Sequence, residues 1–208
     1  MFASQARNLD VELSVRSPDN FASLLLSRSV DVVLGPLPTN IDSSIVAKPF
    51  LNYQVIAVAS RDHPVSKIEA SVNQLRQQTW LLGPSAAEAI GLVPKILRAL
   101  NVPEDHQQIF QSHAAALEEA KRNKGIALTV SFAAAQDIAN GDLKRLPGRW
   151  LQAEGVWHSL MLAERGTPSA ASELTRFMTT PRAIQAMLRG AGVTAGRFQP
   201  WIHVTLWS

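Results

Sequence analysis

Tyr53-Gln54-Val55-Ile56-Ala57-Val58-Ala59-Ser60-Arg61-Asp62-His63-Pro64 decides how the chain is organised. The apolar run Tyr53 to Ala59 reads as a strand. The polar turn Ser60-Arg61-Asp62-His63-Pro64 then joins that strand to a different neighbourhood. Glu154-Gly155-Val156-Trp157-His158 is a second joint of the same kind, leading into the run Trp157 to Ala163. No Pro, Gly or Ser linker divides the chain, so two crossings predict two lobes with one inserted in the other: residues 1–60 with 157–208, and residues 61–156.

Further strands are predicted at Val11 to Val15, Asp31 to Leu34, Trp80 to Leu82, Gln108 to Gln111, Ile126 to Thr129 and Ile202 to Leu206. They alternate with stretches of helical period, which is the pattern of an α/β chain with largely parallel sheets. Helix starts are marked at Ser17-Pro18-Asp19, at Ser85-Ala86-Ala87-Glu88 as a capping box, and at Thr180-Pro181. Asn101, Gly125 and Gly141 stand where helices end in a left-handed residue. Gly91 and Pro94 predict a break in the helical stretch after Ser85.

The 208 residues are 46% hydrophobic and 18% charged, enough apolar content for a folded core. The 20 Lys and Arg against 17 Asp and Glu leave a net charge of +3, scattered rather than striped, which argues against a direct nucleic-acid surface. The chain has no cysteine, excluding disulfides, thiolate metal sites and thiol catalysis. With neither an export signal at the N-terminus nor an apolar stretch of membrane-spanning length, a cytoplasmic protein without membrane contact is expected.

Four stretches, in order, resemble the effector-binding regulatory domain of LysR-type transcription regulators. The first runs from Leu24 through Asp31-Val32-Val33-Leu34-Gly35, a helix, a short turn and an aspartate opening an apolar strand. The most diagnostic is Ala47-Lys48-Pro49-Phe50 followed by Val55 to Pro64. The third is Leu75 through Thr79-Trp80-Leu81-Leu82-Gly83-Pro84-Ser85, and the fourth is Ser112 through Gly125-Ile126-Ala127-Leu128-Thr129. The chain departs from the family at Thr79 and at Thr129-Val130-Ser131, where prolines are usual, and in the extended tail Ala191 to Ser208.

The resemblance implies an α/β, two-lobed periplasmic-binding-protein-like (type 2) fold, with two mixed, mainly parallel sheets and an interlobe cleft. It implies a domain that senses a small organic acid, a carboxylate, and acts on DNA only through a winged helix-turn-helix part that the sequence lacks. A homodimer is also implied, with Ala3 to Val15 and the helix Ala114 to Lys124 at its interface, and a tetramer in the intact regulator. The first strand of the family's fold precedes the residues in hand, so Ile202-His203-Val204-Thr205-Leu206, alternating polar with apolar, is expected to join a sheet at that gap.

In an open parallel sheet, ligands gather where strand C-termini and helix N-termini meet. Ser17, Ser85, Ser112 and Ser131 fall at such junctions. Each also reads as an ordinary helix cap. The resemblance singles out Ser85, Ala86, Thr129 and Ser131, because the family's ligand loops occupy those positions. Pro36 at another strand end reads equally as a plain turn, Phe132 as pocket wall or core, and His113 as a ligand for an acidic effector or a solvent-facing residue. No metal or cofactor is expected, since the histidines at 63, 106, 113, 158 and 203 lack ligand spacing. Without a catalytic motif, the chain does not read as an enzyme. The second reading is a transporter's solute-binding protein on the same fold.

Overall fold

The computed structural model describes residues 12–163, 170–188 and 204–206. These form two compact units, which divide between Asn52 and Tyr53 and again between Gly155 and Val156. Both divisions fall inside long strands, β3 (Ile45–Ser60) and β8 (Gln152–Leu162), each of which supplies residues to both units.

The first unit contains β1 (Leu13–Val15), α1 (Phe21–Leu26), β2 (Val32–Pro36), α6 (Ala170–Met178), α7 (Pro181–Leu188) and β9 (Val204–Leu206). Its strand order is β1-β9-β2-β8. The first three run parallel, and β8 lies antiparallel to β2, with Val33 opposite Leu160. Side chains alternate along β2, so its two faces build two cores. Val33 packs with Phe21 and Leu25 of α1 and with Leu160, all fully buried, whereas Val32 and Leu34 meet Leu174 of α6. Each such aliphatic side chain contributes about 1.5–3 kcal/mol of burial.

The second unit contains α2 (Val72–Arg76), β4 (Trp80–Leu82), α3 (Leu92–Leu100), β5 (Gln107–Ile109), α4 (His113–Lys121), β6 (Ile126–Val130), α5 (Ala135–Asn140) and β7 (Leu143–Arg145). Strands β5, β4 and β6 are parallel neighbours, β3 pairs antiparallel with β6, and β7 pairs with β3. Ile56, Val58, Leu81, Leu117 and Ala127 form its core beneath α4. Trp80, wholly buried, settles its indole by donating Nε1–H to the Leu75 carbonyl at 3.0 Å.

Several local expectations change. Ser85 starts no capping box. It sits inside a 3-10 turn, Pro84–Ala87, and the capping box of this unit is Ser71–Gln74 instead. Asn101 and Gly141 do end helices in the left-handed region, at φ 52° and 83°. Gly125 does not, and the left-handed residue there is Asn123, at φ 64°. Gly125 is needed for a different reason: a Cβ would lie 2.3 Å from the Thr79 carbonyl oxygen, to which the Ile126 N–H donates. The break near Gly91 is real, because α3 begins just after it, with Gly91 at φ 153°. The expected C-terminal strand is present over Val204–Leu206, while Ile202 and His203 lie outside the described residues.

Candidate functional site

Because β5, β4 and β6 are parallel, their C-terminal ends emerge on one edge of the second unit's sheet. From β4 the chain passes through Gly83 into the turn holding Ser85 and Ala86; from β5 it passes through Phe110 to Ser112 and His113; from β6 it ends at Thr129, Val130 and Ser131. Three strand ends thus gather hydroxyls, an imidazole and turn amides, the arrangement in which open α/β sheets hold anionic or polar ligands.

Ser85 is fully buried, and its Oγ lies 3.3 Å from His113 Nε2. Ala86 donates its N–H back to the Gly83 carbonyl at 3.1 Å, which closes the turn. Gly83 was not anticipated as a site residue, although its place between an apolar strand and Pro84-Ser85 was visible. Its lack of a side chain lets the His113 ring approach the backbone. Thr129 is 5% exposed and pairs with Ile56 of β3. Ser131 is held by its N–H to the Gln54 carbonyl at 2.8 Å, and Phe132, half-buried, follows it. Ser112 does what a cap does: its Oγ accepts from the Ala115 N–H at 3.1 Å.

The other two predicted positions belong to the first unit. Ser17 precedes a 3-10 turn without making a side-chain capping bond, and Pro36 ends β2 opposite Trp157. A surface pocket of about 310 Å3 in that unit, bordered by Lys48, Met161, Thr175 and Arg176, contains none of the predicted residues, and Arg176 is already paired with Glu173 at 3.0 Å. The acids and bases of α4 pair with one another and with a neighbouring helix: Glu118 pairs with Lys121 at 2.5 Å and Glu119 with Arg122, while Lys121 also reaches Asp137 of α5 at 3.3 Å. Glu118 thereby raises the Lys121 pKa. Among the described residues no group of acidic, His or Cys side chains is placed to hold a metal, and no helix is long and apolar enough to cross a membrane.

Residues 1–181 match the family described as LysR substrate binding domain. An uncharacterized HTH-type transcriptional regulator of Mycobacterium tuberculosis is 44% identical over the whole of this chain, which spans 66% of that relative's length. Among solved structures, the regulatory domain of CcmR from Synechocystis in complex with 2-PG superposes with a TM-score of 0.68 at 16% identity, over 86% of each chain. The MetR regulatory domain of Neisseria meningitidis gives 0.65 at 16% identity, over 92% of this chain and 83% of that one. At such identities these two likenesses speak to fold alone. That fold is the periplasmic-binding-protein-like one, with mixed sheets in both units.

Proposed function

The chain belongs to the family of LysR substrate binding domains, and from that premise we propose that it senses a small organic acid at the strand ends β4, β5 and β6. Regulatory domains of this family bind small-molecule effectors and form oligomers, and they are not enzymes. The observation that carries the reading is the meeting of Ser85 and His113 at 3.3 Å, beside Thr129 and Ser131 on the neighbouring strand end. Hydroxyl donors there match a carboxylate, and an imidazole beside them suits an acid. Ala86 and Phe132 would border the ligand there, and Ser17 and Pro36 are proposed as effector-binding residues of the first unit.

The sensed signal would reach DNA through a helix-turn-helix part, as the relatives' names indicate for them. Binding energy that differs between two arrangements of a homodimer, or of a tetramer of the intact regulator, would do the switching. We propose Ala3 to Val15 and the segment Ala114 to Lys124, which contains most of α4, for the dimer interface. A cytoplasmic location follows from that role. A transporter's solute-binding protein is the less favoured reading, since the relatives are regulators.

The test is a thermal-shift screen with small aliphatic carboxylates and aromatic acids. A saturating ligand raises the melting temperature by mass action, about 2.7 kcal/mol at one hundred times its Kd. Ser85→Ala and Ser131→Ala should cut that shift for the ligand found. A shift that neither substitution touches would place the site elsewhere.

A further inference from the structure

Side chains alternate along the strands of the first unit, so one face of its sheet gathers Val32 and Leu34 of β2, Phe50 of β3 and Ser159 of β8. Lys48 and Met161, each two residues from Phe50 or Ser159, share that face, and Ser159 Oγ donates to the Lys48 carbonyl at 3.4 Å. Helix α6 covers it. Its apolar residues Ala171, Leu174 and Met178 meet Val32 and Leu34, while Ser172, Thr175, Arg176 and Thr179 recur at helical spacing on another side. The polar side of such a helix ordinarily faces open water. Here it borders, with Lys48 and Met161, a hollow of about 310 Å3, within the range of small-molecule sites, about 300–1,000 Å3. Thr175 is 5% exposed, and its hydroxyl points at the Met161 sulfur at 3.9 Å, a weak acceptor, rather than at a carbonyl of its own helix. Arg176 is neutralised by Glu173, whereas among the described residues no acidic side chain pairs with Lys48.

We propose that this hollow is a second ligand site, for a small monocarboxylate with an apolar body. The Lys48 ammonium supplies a positive charge that Glu173 does not offset, and a carboxylate oxygen offers the Thr175 hydroxyl a far better acceptor than a thioether. Met161, 8% exposed, gives the body of the ligand an apolar and adaptable wall. All of these residues belong to the first unit, whereas the strand ends carrying Ser85 and His113 belong to the second. Binding in the hollow therefore neither requires nor replaces the site proposed there.

The chain has four methionines, so protein labelled with 13C at the methionine methyls gives few NMR signals, and that of Met161 is identified by its loss in Met161→Leu. Phenylacetate is the probe, because its ring shifts a methyl signal that it approaches. Phenylacetamide has the same shape without the charge. The Met161 signal should move saturably with phenylacetate and much less with the amide. Lys48→Gln and Thr175→Val should each raise the Kd read from that movement about tenfold, the size of loss expected for one charge-assisted hydrogen bond. Ser85→Ala should leave it unchanged. A Met161 signal that does not move, that moves equally with the amide, or that keeps its Kd in Lys48→Gln or Thr175→Val overturns the proposal. So does a response lost in Ser85→Ala, which would assign the effect to the strand ends instead. Should Thr175→Val fail to fold, Lys48→Gln alters an exposed side chain and decides the matter alone.

Discussion

The imidazole of His113 lies over Gly83 so closely that a Cβ on residue 83 would fall 2.1 Å from its Nδ1. Two strand ends are locked together there, because the same ring reaches Ser85 Oγ with Nε2. Gly83→Ala should therefore displace the ring rather than unfold the unit. Overpacking costs about 1–3 kcal/mol, and a half-buried ring that can swing outward puts the expected loss near 1 kcal/mol. Gly83→Ala combined with His113→Ala should recover most of it. A double-mutant cycle by urea unfolding measures the coupling, and additive losses would show that the two residues do not meet as described.

A glycine against backbone should behave differently. Gly125→Ala sets a methyl 2.3 Å from the Thr79 carbonyl oxygen, and this neighbour cannot swing away, because it accepts the Ile126 N–H at 2.9 Å and so ties the start of β6 to the start of β4. We expect a loss at the upper end of the overpacking range, about 3 kcal/mol. Unlike Gly83→Ala, this loss should not be relieved by truncating any one side chain. A midpoint shift in urea no larger than that of Gly83→Ala would contradict the argument.

What could be read beforehand followed from what is local. The apolar runs at Trp80 to Leu82 and Ile126 to Thr129 became strands, Asn101 and Gly141 became left-handed caps, and Ser112 became a cap, because each rests on a preference expressed within a few residues. The first half of β3, around Lys48-Pro49, and the short β7 were not anticipated. Those residues are largely exposed or charged, and their strand conformation comes from pairing partners distant in sequence. The site was legible as serines at strand ends. That His113 would reach Ser85 was not, since their approach depends on β4 and β5 being adjacent and on Gly83 leaving room.

His63 supplies a pH dependence. The ring is 7% exposed, its Nδ1 faces the Val65 N–H at 3.4 Å, and burial lowers its pKa below the usual histidine value. A lowered folded-state pKa means that the unfolded chain binds the proton more readily. The contribution of His63 is therefore fully present above about pH 6.5 and is lost as pH falls through the folded-state value. Urea midpoints measured from pH 8 to pH 5 should fall on the acid side, and His63→Gln should flatten that part of the profile. Asp42, whose pKa is lowered by bonds from the Ser44 hydroxyl and N–H, acts in a separate window below about pH 4. An unchanged slope in His63→Gln would assign the effect to other groups.

The serine and threonine caps separate by what their oxygens touch. Thr180 Oγ1 accepts from the Ala183 N–H at 3.3 Å and donates to the Phe177 carbonyl at 2.7 Å, so one side chain closes α6 and opens α7. Ser112 Oγ accepts from the Ala115 N–H at the start of α4. Ser17 precedes its turn with proline following, as Thr180 does, yet makes no such bond. Thr180→Ala and Ser112→Ala should each cost about 1 kcal/mol. Ser17→Ala should cost almost nothing in thermal unfolding without ligand. Since the Ser17 hydroxyl makes no cap bond, any effect of Ser17→Ala should appear in the ligand-induced melting shift. A loss near 1 kcal/mol in the unliganded protein would instead make Ser17 a cap and remove it from the proposed site.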